Sequence, residues 1–146
     1  MKGKPVDILL VEDDPDHAEL TIRALKDNNV LNEVYVVKDG QEALDFVYHR
    51  GSYTDRKRYP RPGLILLDIR LPKMDGLEVL KELKADPQLK SIPVVMLTTS
   101  ERDEEIAESY GAGANSYVVK PVEFEEFTKK VKELNLYWTI TNTLPK

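Results

Sequence analysis

Residues 64–67, Leu64-Ile65-Leu66-Leu67, form an unbroken apolar run that stops at Asp68. Four branched apolar residues led by Gly63 suit a strand covered on both faces, and such strands belong to parallel sheets packed between helices. The first carboxylate after a strand of this kind lies at its carboxyl end, where open α/β sheets bind their ligands. Pro72 and Asp75-Gly76 then mark a loop, after which a helical pattern begins. Asp68 is therefore a carboxylate at the rim of a hydrophobic sheet. Taken alone it has two readings: a residue that ends the strand and accepts loop N–H groups, or a functional group.

The same unit recurs along the chain. Residues 6–11 read as a buried first strand that ends in Glu12, Asp13 and Asp14. Pro15 suits the first turn of a helix capped by Asp14, and Ala18, Ile22 and Leu25 give that helix a core face. Asn28-Asn29 ends it. Residues 33–37 form a second strand, and Asp39 with Glu42 resembles a capping box ahead of a helix through Ala43, Leu44 and Val47. After the central strand, Leu77, Leu80 and Leu83 predict a third helix stopped by Asp86-Pro87. Residues 94–97 are a fourth buried strand, followed by Thr98-Thr99-Ser100. A fourth helix is expected over about residues 102–110; its acidic start suits the helix dipole and needs no functional explanation. Residues 116–119 form a short fifth strand ending in Lys120-Pro121, and Phe124, Phe127, Val131, Leu134 and Trp138 mark the last helix. Five β–α units with buried strands predict one α/β domain over residues 1–146, with its core over about 6–138 and a tail at 139–146. Residues 49–62 stand apart as a long loop with Arg50, Arg56, Lys57, Arg58 and Arg61 against Asp55. It is either a solvated loop or a docking surface for an acidic partner.

Composition narrows the function. With 21 basic and 26 acidic residues the formal charge is −5, which argues against non-specific nucleic-acid binding. There is no cysteine, hence no disulfide framework and no thiolate metal site. The first residues lack the apolar segment of a signal peptide, and no apolar run approaches membrane-spanning length, so a cytoplasmic location is expected.

Each informative polar residue follows an apolar strand: Glu12 and Asp13 the first, Asp68 the third, Thr98 the fourth, Lys120 the fifth. In a parallel sheet these ends share one edge. Crowded carboxylates repel, and a hard divalent cation such as Mg²⁺, which takes carboxylates, waters and a phosphate oxygen, relieves the repulsion. Lysine can pair with a carboxylate or a phosphoryl oxygen, and threonine can donate to an anion. This inventory suits phosphoryl transfer onto a carboxylate, a reaction of positioning and charge neutralisation.

With these residues in place, the sequence closely resembles the receiver domain of two-component response regulators. The matching motifs are VEDD at 11–14, LLDIRLPKMDG at 66–76, LTTS at 97–100 and SYVVKP at 116–121. The resemblance implies a flavodoxin-like, CheY-like sheet of order 2-1-3-4-5 with five helices. It implies Asp68 as phospho-acceptor, Mg²⁺ held by Asp13 directly, by Glu12 through water, by Asp68 and by the backbone carbonyl of Arg70. Thr98 and Lys120 would contact the phosphoryl group, Thr99 would border it, Tyr117 would swing inward as Thr98 moves, and the Lys120–Pro121 peptide would be cis. Tyr117 also has a plainer reading as a half-exposed strand aromatic. Arg70 and the bulky Thr99 depart from the commonest family pattern and leave the phosphate lifetime open. The basic loop and the end of the chain, residues 137–145, look like stand-alone receivers that partner phytochrome-type sensor kinases.

Three functions compete: a phospho-switch charged by a histidine kinase, a binding module with an unused acidic pocket, and a Mg²⁺-dependent phosphatase with an aspartyl nucleophile. The complete set with Thr98 and Lys120 disfavours the second. Arg70 stands where the third would need a second carboxylate. The expected protein is thus a signalling switch rather than an enzyme, capable at most of slow self-phosphorylation from small donors and self-dephosphorylation. Its output would pass by protein contact or onward phosphotransfer, with no DNA-binding domain. Tyr137, Ile140 and Leu144 lack a place in a five-unit core, so a homodimer through the last helix, the fourth helix–fifth strand face and the tail is expected.

Overall fold

The computed structural model describes residues 7–27, 32–72, 74–99 and 111–133. In chain order these form β1 (Ile8–Val11), α1 (Pro15–Lys26), β2 (Val34–Val37), α2 (Gly40–Tyr48), a single 3₁₀ turn (Gly51–Tyr53), β3 (Leu64–Asp68), α3 (Gly76–Ala85), β4 (Val94–Thr98), β5 (Ser116–Val119) and α4 (Phe124–Glu133). The helix expected over residues 102–110, Trp138 and the tail lie outside the described residues.

All strands are parallel, in the order β2-β1-β3-β4-β5. Alternation along the strands builds two cores. Leu9, Val11, Ile65, Leu67 and Met96 face α2 and α3, where Phe46, Val47, Val79, Leu80 and Leu83 cover them. Ile8, Leu10, Leu64, Leu66, Val95, Leu97 and Val118 face the other way, against Ala18 and Leu25 of α1 and Phe127 of α4. Because both faces are covered, the strands read as continuous apolar runs.

The register brings the strand ends to one level. Val11 pairs with Leu67, Asp68 with Leu97, and Thr98 with Val119. Main-chain bonds continue one residue further, from Ile69 N–H to the Leu97 carbonyl (3.0 Å) and from Lys120 N–H to the Thr98 carbonyl (2.6 Å). Glu12, Asp68, Thr98 and Lys120 consequently leave the sheet at a common edge.

The helix starts follow local chemistry. The Asp14 side chain accepts from the N–H groups of Asp16 (2.9 Å) and His17 (3.3 Å), with Pro15 next to it in the first turn. At α2, Asp39 accepts from the Glu42 N–H (2.8 Å), but Glu42 returns its carboxylate to the Lys38 N–H (2.7 Å) instead of completing a reciprocal box with Asp39. In α3 the buried face is centred on Val79, Leu80 and Leu83, with Leu77 only half-buried, which shifts the face expected from Leu77, Leu80 and Leu83. Gly40 explains the shift: a Cβ there would lie 2.7 Å from a Val79 methyl and 2.5 Å from the Met74 carbonyl oxygen, so the bare glycine lets Val79 in.

The basic segment 49–62 is neither helix nor strand apart from its 3₁₀ turn, yet it is packed. Tyr53 and Tyr59 meet edge to face at 4.9 Å, and Tyr53 lies 5.1 Å from Phe46. Arg50 pairs with Asp45 (3.3 Å) and lies over the Tyr48 ring, and Arg58 lies over Tyr59. Part of the loop's positive charge is thus used within the loop's own scaffold.

Candidate functional site

At the carboxyl edge of the sheet, a crevice of about 160 Å³ is lined by Glu12, Asp13, Asp14, His17, Asp68, Ile69, Arg70, Thr98, Thr99 and Lys120. Lys120 is its hub. Its side chain is only 7% exposed, and its ammonium donates to Glu12 Oε1 (2.9 Å), Asp68 Oδ2 (3.0 Å) and His17 Nδ1 (3.1 Å). Three acceptors match the three N–H donors of an ammonium, which is how a buried charge is tolerated. The Asp68 carboxylate uses its other oxygen, Oδ1, to accept the Arg70 N–H (3.1 Å). Glu12 Oε2 accepts the Asp14 N–H (3.2 Å). Thr98 ends β4 buried beside them, whereas Thr99 is exposed at the mouth. The Lys120–Pro121 peptide is cis.

Oxygens of Glu12, Asp13 and Asp68 all lie within 4.8 Å of one another. Glu12 and Asp68 are buried and Asp13 is exposed, so the cluster opens to solvent on the Asp13 side. Burial pushes the Glu12 carboxyl above its ordinary value and the nearby Asp68 charge adds to that, against the opposing hydrogen bond from Lys120. For Lys120, burial pulls downward, but the bonds and charges of Glu12 and Asp68 outweigh it and the net shift is upward. Asp14 is held below its ordinary range chiefly by the His17 N–H, with the Asp16 N–H assisting. Three carboxylates facing one ammonium leave a local excess of negative charge, and hard oxygen donors at this spacing suit a divalent cation.

Two sequence-predicted residues stand differently. Arg70 is exposed and borders the crevice, and its N–H donates to Asp68 Oδ1. Tyr117 does not line the crevice. It is half-buried on β5, with the Lys130 ammonium of α4 4.3 Å from its ring centroid. It shares a separate cavity of about 320 Å³ with Val119, Lys120, Pro121, Glu123 and Glu126. His17 is the site residue that sequence reasoning missed. As a lone histidine on the polar side of α1 it carries no motif. The available signal was its place in the first turn of a helix that springs from the carboxylate end of β1.

Residues 8–132 match the response regulator receiver domain. The chain belongs to this family. The receiver fold extends over nearly the whole chain in individual relatives as well. The response regulator Rcp1 of Synechocystis is 41% identical over 141 residues, covering 97% of this chain and 94% of the relative. The solved structure of the bacteriophytochrome response regulator AtBRR is 46% identical with a TM-score of 0.85, covering 96% of this chain and 99% of that one. The phosphorylated cyanobacterial phytochrome response regulator RcpA is 41% identical with a TM-score of 0.77, covering 99% and 100%. Rcp1 has also been solved in a Mn²⁺-bound form, at a TM-score of 0.74, 41% identity and coverage of 97% and 100%. This receiver domain is thus a signalling protein, not an enzyme in the usual sense, and its acidic cluster has the ligand atoms and the spacing to hold a divalent cation. Among its described residues no helix is long and apolar enough to cross a membrane.

Proposed function

We propose that Asp68 accepts a phosphoryl group from the phosphohistidine of a sensor histidine kinase, in a Mg²⁺-dependent reaction. The observation that carries this reading is the placement of the Lys120 ammonium, 3.0 Å from Asp68 and 2.9 Å from Glu12, at the edge of the three-carboxylate cluster. An Asp68 oxygen attacks phosphorus, the P–N bond breaks, and the released imidazole takes up a proton. Glu12, Asp13, Asp68 and the Arg70 carbonyl would hold the cation, and when bound it would supply charge neutralisation at the acceptor. Lys120 turns an N–H from Asp68 to a phosphoryl oxygen, and Thr98 donates its hydroxyl to another. Thr99 and Arg70 stand at the mouth and govern water access. Tyr117 responds to Thr98 and carries the change to the α4 side of the domain.

The likeness to phytochrome response regulators supports a phytochrome-type kinase as the cytoplasmic phosphodonor and a downstream protein or phosphotransfer domain as the recipient. Homodimerisation belongs to the same reading, through α4, the face formed by the helix expected over residues 102–110 and β5, and the tail; sedimentation at tens of micromolar tests it, and a monomer with and without phosphorylation removes it.

The acceptor assignment is tested by incubation with Mg²⁺ and phosphoramidate, followed by intact mass measurement. A single phosphate adduct is expected on the wild type and none on Asp68→Asn, whose amide keeps the shape but is no nucleophile. An adduct forming on the variant at the wild-type rate overturns the assignment. Repeated turnover of a phosphate ester without a stable adduct favours a phosphatase instead.

A further inference from the structure

His17 has no part in the acceptor chemistry described above, yet it touches the group that does. Its Nδ1 lies 3.1 Å from the Lys120 ammonium. A lysine ammonium can only donate, so this contact requires an unprotonated Nδ1 and puts the ring's N–H on Nε2. Nε2 in turn faces Asp14 Oδ2 at 3.6 Å. The arrangement runs from Asp14 through the imidazole to Lys120 and ends on Asp68.

The backbone of His17 is fixed from both sides. Its N–H is held by the Asp14 cap (3.3 Å), and its carbonyl accepts the hydroxyl of the buried Thr21 (3.0 Å). The ring itself is 42% exposed, at the open side of the crevice. The half-exposed ring is held at the crevice by its contact with Lys120 rather than by packing.

The chemistry of the acceptor matters. Glu12 and Asp68 each cancel charge on the ammonium as they bind it. A neutral imidazole takes the third N–H without cancelling any more of that charge, so it holds the ammonium without weakening its attraction for an arriving anion. It also keeps the lysine head in place when the bond to Asp68 is exchanged for one to a phosphoryl oxygen.

We propose that His17 is the positioning residue for Lys120: its Nδ1 holds the ammonium over the acceptor carboxylate and so accelerates phosphorylation of Asp68. The inference rests on the acceptor reading given above. It assigns no proton transfer to His17.

The test uses the geometry of side-chain substitutes. Asparagine places its amide oxygen near the position of Nδ1, glutamine reaches toward the position of Nε2, and leucine has no acceptor. Rates of phosphorylation by phosphoramidate are measured at saturating Mg²⁺ for His17→Leu, His17→Gln and His17→Asn, together with Mg²⁺ affinity and thermal midpoint. Loss of one hydrogen bond to a charged group predicts a rate at least about ten-fold lower for the leucine and glutamine variants, and a rate within about two-fold of wild type for asparagine. Mg²⁺ affinity and midpoint should stay at wild-type values in all three. A second readout is the ¹⁵N-detected ammonium signal of Lys120, which should be protected from exchange in the wild type and the asparagine variant and broadened in the leucine variant. Equal rates in all four proteins overturn the proposal, as does a slow leucine variant that asparagine rescues no better than glutamine. Those failures are distinct from failure of the acceptor reading, which would appear as phosphate on Asp68→Asn.

Discussion

Gly76 shows how tightly the proposed acceptor, Asp68, is held. A Cβ at this position would lie 2.1 Å from the Asp68 carbonyl oxygen and 2.8 Å from that of Ile69, and the Gly76 N–H itself donates to Ile69 (2.9 Å). The loop leaving β3 folds back onto the backbone that carries Asp68, and only a hydrogen fits between them. Gly76→Ala must push this backbone aside. Overpacking of this kind predicts a loss of about 1–3 kcal/mol in urea unfolding and a slower, incomplete phosphorylation. An alanine variant as stable and as reactive as wild type would show that the loop yields without moving Asp68. Arg70 belongs to the same scale. Its N–H fixes Asp68 Oδ1 while its side chain stands exposed at the crevice mouth. Arg70→Ala keeps the N–H and removes only the cationic arm beside the proposed acceptor Asp68. The decay of the phosphate adduct should change several-fold, read by intact mass over time; unchanged decay would mean that the arm points away.

At the scale of elements, the segment 49–62 is held to α2 by aromatic contacts, by the Arg50–Asp45 pair and by a short hydrogen bond from the Tyr53 hydroxyl to Glu42 Oε2 at 2.6 Å. Tyr53→Phe should cost about 1 kcal/mol at neutral pH through that bond. Burial, and then the Glu42 bond and charge, hold the Tyr53 phenol well above its ordinary value. Above a pH of about 10 the unfolded chain loses a proton that the folded chain keeps, so stability falls as pH rises further. The phenylalanine variant should show a shallower alkaline decline in urea midpoints between pH 8 and 11; parallel declines would remove Tyr53 from the account. This clamp was not legible in the sequence, because Tyr53 and Tyr59 follow no strand or helix period and pack only once β2 and α2 present Tyr35 and Phe46. What was legible followed a period or ended one. The strands ending at Val11, Asp68 and Val119 and the Asp14 and Asp39 caps are local signals, and the order of the sheet comes from their alternation with helices. Val79 escaped because its burial depends on a glycine 39 positions earlier, at Gly40. His17 escaped because its partner Lys120 comes from the opposite end of the chain.

At the scale of the molecule, stability and function compete at one edge of the sheet. The chain carries a formal charge of −5, and the crevice concentrates Glu12, Asp13 and Asp68 against the single ammonium of Lys120. Without a cation this edge is a local source of repulsion within an otherwise apolar, well-covered sheet. A cation that binds only the folded state stabilises it with the logarithm of its concentration, by about 2.7 kcal/mol at a hundred times its dissociation constant. The whole domain should therefore report on the site: adding Mg²⁺ should raise the thermal midpoint, followed by circular dichroism, and the midpoint should go on climbing with the logarithm of Mg²⁺ concentration above the dissociation constant. Asp13 is the exposed member of the cluster, so its removal relieves the crowding without opening the core. Asp13→Ala should melt at a higher temperature than wild type in the absence of divalent ions and should gain almost nothing from Mg²⁺, so that the two titrations cross. If the variant instead melts lower without Mg²⁺ and follows the wild-type curve with it, Asp13 neither crowds the site nor binds the cation, and the metal would have to sit on Glu12 and Asp68 alone.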